Sequence, residues 1–127
     1  MTIITRRAPT QAELLDYLAA KRFTVEVGGI VIPGDPPLPC WTDRAMQSML
    51  SRVVQLLDRG TLTAPIDIKT PAGAFAMSQE QIDAIGEMVA LHVQACFDVE
   101  ASLSSQILAG TVTTFAEIDA AAWPSNG

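Results

Sequence analysis

Residues 78–110 read SQEQIDAIGEMVALHVQACFDVEASLSSQILAG, and this one helical signal decides the fold. Ser78 and Gln81 have the spacing of a capping box, in which each side chain satisfies a free backbone N–H group of the first turn. Gly110 supplies a stop signal, because glycine adopts the left-handed conformation after a last turn at little cost. The sequence therefore predicts one helix between these signals, roughly 48 Å long at ~1.5 Å per residue.

A seven-residue repeat runs along this predicted helix. A compact chain of this size has a diameter of only roughly 35 Å, so the helix is expected to protrude or to pack against another chain. Two arrangements would cover the repeat: an oligomer, which the sequence favours, or a monomer whose helix folds back on Met46–Leu57. The positions of the repeat, proposed as an assembly interface, are Ile82, Ile85, Val89, His92, Cys96, Val99 and Leu103, with Gln106 continuing the spacing.

Composition restricts the class of protein. The chain has 127 residues, of which 49% are hydrophobic and 17% charged, and this predicts one folded domain rather than a disordered segment. No stretch approaches the ~20 apolar residues that a membrane-spanning helix needs. Met1–Arg7 lacks the apolar run of a secretory signal, so a cytoplasmic site of synthesis is expected. Cys40 and Cys96 have no metal-binding or redox spacing and are expected to be free thiols.

Charge is distributed unevenly along the chain. All eight basic residues lie between Arg6 and Lys69, where they meet seven acidic residues, for a net charge of +1. From Thr70 onward there are seven acidic residues and no lysine or arginine, for a net charge of −7. An acidic half of this kind argues against nucleic acid as a partner. It also suggests that the basic half of one copy could meet the acidic half of a neighbour, although such a charge run is usually a solvated face.

The pattern along the chain predicts an α+β fold with a small antiparallel sheet of two hairpins, helices on one side and one long C-terminal helix. Residues 1–9 are interpreted as an N-terminal arm, 10–124 as a single domain and 125–127 as a tail. The prolines of the connection before Trp41 predict a loop that cannot join a strand ladder. The predicted elements are a helix from Thr10 to Arg22, a hairpin of 23–27 with 30–32, a proline-rich loop 33–39, a helix from Thr42 or Asp43 to Gly60, a hairpin of 66–69 with 74–77, the long helix, and a short helix after Thr114.

No catalytic, cofactor-binding or metal-binding residues are predicted. The single histidine, His92, lies four residues before Cys96, so the two side chains share one face of the long helix. A cysteine nucleophile needs a base and an orienting acid beside it, and no local arrangement of residues supplies them. The preferred interpretation is a buried polar pair that fixes helix register, and a small Cys/His-dependent enzyme remains a remote alternative.

Five short segments carry a resemblance that spans roughly residues 12–122. The most specific is the run from His92 to Phe97, and all of them occur in the expected order. They are Ala20–Phe23, Glu26–Ile30, Thr42–Arg44 with Gln47, Ile68–Thr70 with Gly73 and Phe75, and Val89–Glu100, which holds the His-Val-Gln-Ala-Cys-Phe run.

In these segments the chain resembles an uncharacterised domain family of bacteriophage and prophage tail and tail-fibre-associated proteins. It departs from that family at Ile68, where a tryptophan is usual, and in a longer Pro33–Trp41 loop. The resemblance implies a structural protein of the tail, tail fibre or baseplate that acts by protein–protein assembly. Such a protein is made in the host bacterial cytoplasm and resides in the virion tail after assembly. The resemblance implies other tail proteins as partners, and no catalytic residues. The alternative is a tail-fibre assembly chaperone that is absent from the virion.

Overall fold

The structure, a computed structural model, describes residues 7–127. Residues 1–6, most of the predicted N-terminal arm, lie outside this range. Within it the chain forms helices and two separate two-stranded antiparallel sheets, so the α+β class is confirmed. The elements are α1 (Gln11–Glu26), β1 (Ile30–Ile32), β2 (Leu38–Cys40), α2 (Arg44–Asp58), β3 (Ile66–Thr70), β4 (Gly73–Met77), α3 (Gln79–Leu108) and α4 (Phe115–Asp119).

Each helix begins where a short polar side chain caps its first turn. Thr10 and Ser78 form complete capping boxes with the residues three positions later, as the sequence predicts. Asp43, rather than Thr42, caps α2, and Thr114 caps α4. The glycine stop of α3 is also confirmed, since Gly110 has a φ of +77° just after the last turn.

The long helix is covered within its own chain. Its first half packs with α2 and both hairpins around one apolar cluster, and its second half packs with α1 and α4 around another. The chain thus lays shorter elements along the whole of α3, which spans about 45 Å. The expectation that α3 protrudes or needs a second chain to cover its repeat is therefore wrong. The fold-back on α2 is the arrangement observed.

The predicted strand at 23–27 is wrong, because α1 continues through Glu26. The alternation of Phe-Thr-Val-Glu-Val looks like a strand, yet helical spacing places Arg22 and Glu26 one turn apart, where they form an ion pair. Val25 turns into the core, and the Thr24 hydroxyl donates to the Ala20 carbonyl four residues back. These contacts outweigh the preference of β-branched residues for strands.

The first hairpin consequently has a different partner strand. Ile30–Ile32 pairs with Leu38–Cys40, so the proline-rich segment does join a ladder, contrary to the expectation from sequence. Pro39 lies opposite Val31 in that ladder. A proline fits there because alternate residue pairs of an antiparallel ladder exchange no hydrogen bonds. The second hairpin is confirmed, with Ile66–Thr70 paired to Gly73–Met77 across a two-residue turn.

Candidate functional site

A cluster of polar side chains, with a buried core and exposed members at its edge, lies at the middle of α3, between the two apolar clusters. We call it the polar joint. It connects the C-terminal end of α1, the N-terminal end of α2, the centre of α3 and the end of the chain. Its members are Arg22, Glu26, Thr42, Arg44, Gln47, His92, Glu100 and Asn126.

Glu26 is the centre of the polar joint, and its side chain is completely buried. Arg44 donates to both carboxylate oxygens, from Nε to Oε2 and from Nη2 to Oε1, while Arg22 and Gln47 each donate one more hydrogen bond. Burial alone would raise the pKa of this carboxyl group. The hydrogen bonds from Arg44, Gln47 and Arg22 together more than offset that effect, so the pKa of Glu26 lies below its usual value.

Arg22 connects this carboxylate to α3. Its guanidinium carbon lies 4.7 Å from the centre of the Phe97 ring, a distance at which a cation is attracted to an aromatic face. Its Nε lies 3.5 Å from a carboxylate oxygen of Glu100. Two acidic and two basic residues therefore meet here, and the charges of the joint balance.

The backbone at the end of α1 and in the turn after it is hydrogen-bonded by the side chains of Thr42 and Asn126. The Thr42 hydroxyl donates to the Glu26 carbonyl at 2.6 Å and accepts from the N–H of Gly29 at 2.9 Å. The amide of Asn126 donates to the carbonyls of Val25 and Gly29, both at 2.8 Å. The segment that the sequence analysis interprets as a tail thus contacts the turn between α1 and β1.

His92 and Cys96 lie side by side beneath this turn. Nε2 of His92 lies 2.9 Å from the Val25 carbonyl oxygen, which can only accept, so this nitrogen carries the ring proton. The Cys96 sulfur lies 3.9 Å from the same nitrogen. Burial, together with the Glu26 carboxylate, raises the pKa of the Cys96 thiol. A protonated nitrogen cannot accept the thiol proton, so the pair has the geometry of a structural contact rather than of an activated nucleophile.

In the structure, the predicted interface residues lie in the interior of the folded chain. Val99 is half-buried and the other six are buried, which leaves them little or no surface for a second chain. The interface assignment is therefore corrected: the repeat is the internal core of one chain. The repeat also drifts, since Gln106 is exposed and Ile107 is buried in its place. A straight helix has 3.6 residues per turn, so a strict seven-residue spacing leaves the buried face after a few heptads.

Other kinds of site have little support in residues 7–127. No group of three or more histidine, cysteine or acidic side chains in that range could hold a metal ion. Over the same range no helix has the length and apolarity to span a bilayer. The Cys40 thiol is buried, and burial raises its pKa.

A family model described as a domain of unknown function, DUF4376, matches residues 9–122. The chain belongs to the DUF4376 family. In comparisons with curated proteins and with solved structures, nothing matches the chain significantly.

Four of the five short segments singled out from the sequence meet at the polar joint, although more than seventy positions separate the first from the last. The sequence pattern does not predict the joint, because the alternation of residues 23–27 places Glu26 in a strand. The available signal was the i,i+4 spacing of Arg22 and Glu26, which is typical of a helical ion pair. The residues from those segments that belong to the joint or contact one of its members are Arg22, Glu26, Gly29, Thr42, Arg44, Gln47, His92, Cys96, Phe97 and Glu100.

Proposed function

We propose that this DUF4376 chain is a structural protein of a bacteriophage tail, associated with the tail fibre or baseplate, which acts through protein–protein contacts. The observation that carries the proposal is the role of the His92–Phe97 segment, its most specific likeness to tail proteins. Within that segment His92 supports the backbone of α1, Cys96 is buried beside it, and Phe97 supports Arg22. Side chains used in this way hold a scaffold together, as an assembly protein requires.

The arrangement of the polar joint also supports a non-enzymatic role. Its carboxylate is fully paired and completely buried, so it has no free face to present to a substrate. Its histidine, His92, donates a hydrogen bond from Nε2 to the backbone carbonyl of Val25. General acid–base catalysis needs a group within reach of a reacting atom, and neither side chain offers one.

Quantitative mass spectrometry of purified phage particles from the strain that encodes this chain tests the proposal. We expect peptides of this protein at a fixed ratio to a known tail protein across independent preparations. A host cytoplasmic protein of similar abundance in the lysate serves as the control for carry-over. Enrichment no greater than that of the control would contradict a place in the virion.

A second measurement separates the remaining alternatives. Affinity capture of the tagged chain from infected cells, before particles mature, would recover a tail-fibre protein if the chain is an assembly chaperone absent from the virion. Thiol-reactivity rates address the Cys/His enzyme. We expect Cys96 to react only as fast as the chain unfolds, and fast labelling of Cys96 in the folded protein would support an activated thiol.

A further inference from the structure

A groove lies between α2 and α3, and Gln47 of the polar joint is one of its lining residues. Its volume is about 680 Å³, and its floor is apolar, formed by Leu50 and Val54 of α2 with Val89 and Val93 of α3. The lining residues of α3 run from Asp83 to Gln94, a length of roughly 17 Å, or about three helical turns. These dimensions suit a short helix lying along the groove.

The groove is open because the residues of α3 at its centre are small. Gly86 has no side chain, and a Cβ atom built there would lie 3.3 Å from a methyl group of Val54, so glycine lets the two helices approach. One turn later Ala90 also lines the groove and is exposed. Small residues at this spacing leave room for the side chains of an incoming helix.

One end of the groove is acidic. Asp83 and Glu87 lie one turn apart on α3, and Asp58 faces them from the end of α2. No lysine or arginine of the described range lines the groove, and none of these three carboxylates forms an ion pair within residues 7–127. Apart from the charge-balanced joint, the carboxylates of α3 therefore lack a cationic partner in this part of the chain.

We propose that this groove binds a cationic amphipathic helix of a partner protein, with an apolar stripe on the floor and lysine or arginine side chains against Asp58, Asp83 and Glu87. The proposal rests on the assembly function above and names the chemistry of the partner. Charge complementarity selects this occupant. A second copy that docked groove to groove would bring the same three carboxylates together, and like charges repel.

The test uses two fluorescein-labelled synthetic peptides of about 18 residues, built from leucine, lysine, alanine and glutamine. One places the leucines along a single helical face with lysines at its borders. The other has the same composition in an order that destroys the face. We expect fluorescence anisotropy to show that the full chain binds the first peptide about tenfold more tightly than the second. Hydrogen exchange should show protection in α2 and in residues 83–94.

Two matched variants distinguish the groove from a general attraction of acidic protein for basic peptide. Ala90→Arg places a bulky cation in the groove, whereas Leu91→Arg adds the same charge at an exposed neighbouring position outside it. We expect Ala90→Arg to weaken binding about tenfold and Leu91→Arg to change it less than about twofold. Equal weakening by both variants, or protection outside the groove, would overturn the proposal. Particle mass spectrometry does not depend on this peptide, so the tail assignment and the groove can fail separately.

Discussion

The two ends of α3 pack against apolar side chains, whereas its middle packs against a cluster of ion-paired side chains. Ile82 near one end and Ile107 near the other are completely buried among aliphatic neighbours. Between them, the equally buried Glu26 draws two arginines and a glutamine around one carboxylate. Apolar contacts tolerate small shifts, but a buried charge is stable only in one arrangement of partners. The comparison suggests that the ends provide stability while the middle fixes how α1, α2 and α3 are oriented.

The largest expected effect comes from a charge placed in an apolar end. Ile85→Asp should destabilise the fold by about 5 kcal/mol, because Ile85 is buried among aliphatic side chains that offer a carboxylate no partner. Chemical denaturation monitored by circular dichroism measures the loss of unfolding free energy. A variant that is already unfolded without denaturant would also agree with the prediction. Val99→Asp is the matched control, since Val99 is only half-buried and should lose much less. Near-native stability of Ile85→Asp would show that this end is not tightly packed.

The second-largest expected effect comes from removing the buried charge at the centre of the polar joint. Glu26→Gln keeps the shape of the side chain but removes the charge that pairs with Arg22 and Arg44, and should cost about 3 kcal/mol. The same chemical change at Glu13, whose partner Arg7 is exposed, should have little effect on the denaturation midpoint. Equal effects of the two substitutions would mean that the buried pair contributes no more than a surface pair.

The difference between the ends and the middle also explains what the sequence could predict. The caps of α3, its glycine stop and its repeat as far as Leu103 depend on neighbours within a few residues, and the pattern predicts them correctly. The polar joint depends on Glu26 meeting Arg44 and Gln47 across a hairpin, and no local pattern encodes that contact. The end of α1 is predicted too early, near Arg22, for the same reason. Long-range packing of Val25 overrides the strand-like alternation of residues 23–27. Self-association could not be judged from the repeat, because the repeat does not say which surface covers it.

A third, smaller effect concerns the polar residues of the repeat. His92→Gln should cost about 2 kcal/mol, because an amide must replace the ring that donates to the Val25 carbonyl. Cys96→Ala should cost about 1 kcal/mol through a small cavity at a fully buried site. Denaturation midpoints of the two variants measure both values. A change in these midpoints without loss of peptide binding in the groove is the expected result for structural residues.

The smallest expected effect is the part of the pH dependence of stability that comes from Glu26. Its folded-state pKa lies below the ordinary value of 4.5, so the folded protein binds fewer protons there than the unfolded chain does. The stabilisation that ionised Glu26 provides is therefore complete at a pH above its ordinary pKa. It is lost as the pH falls through the lower folded-state pKa. The pKa of Glu13, lowered to about 2, and that of Glu117, also lowered, change stability over the same range, but they do so equally in wild type and in Glu26→Gln.

The difference in unfolding free energy between wild type and Glu26→Gln, measured from about pH 7 down to about pH 3, isolates the contribution of this one carboxylate. We expect this difference in unfolding free energy to stay constant near neutral pH and to become smaller as the pH falls toward about 3. A difference that does not change across the whole range would show that the charge of Glu26 is not what stabilises the middle of α3. The contrast between an ionic middle and apolar ends would then have to be abandoned.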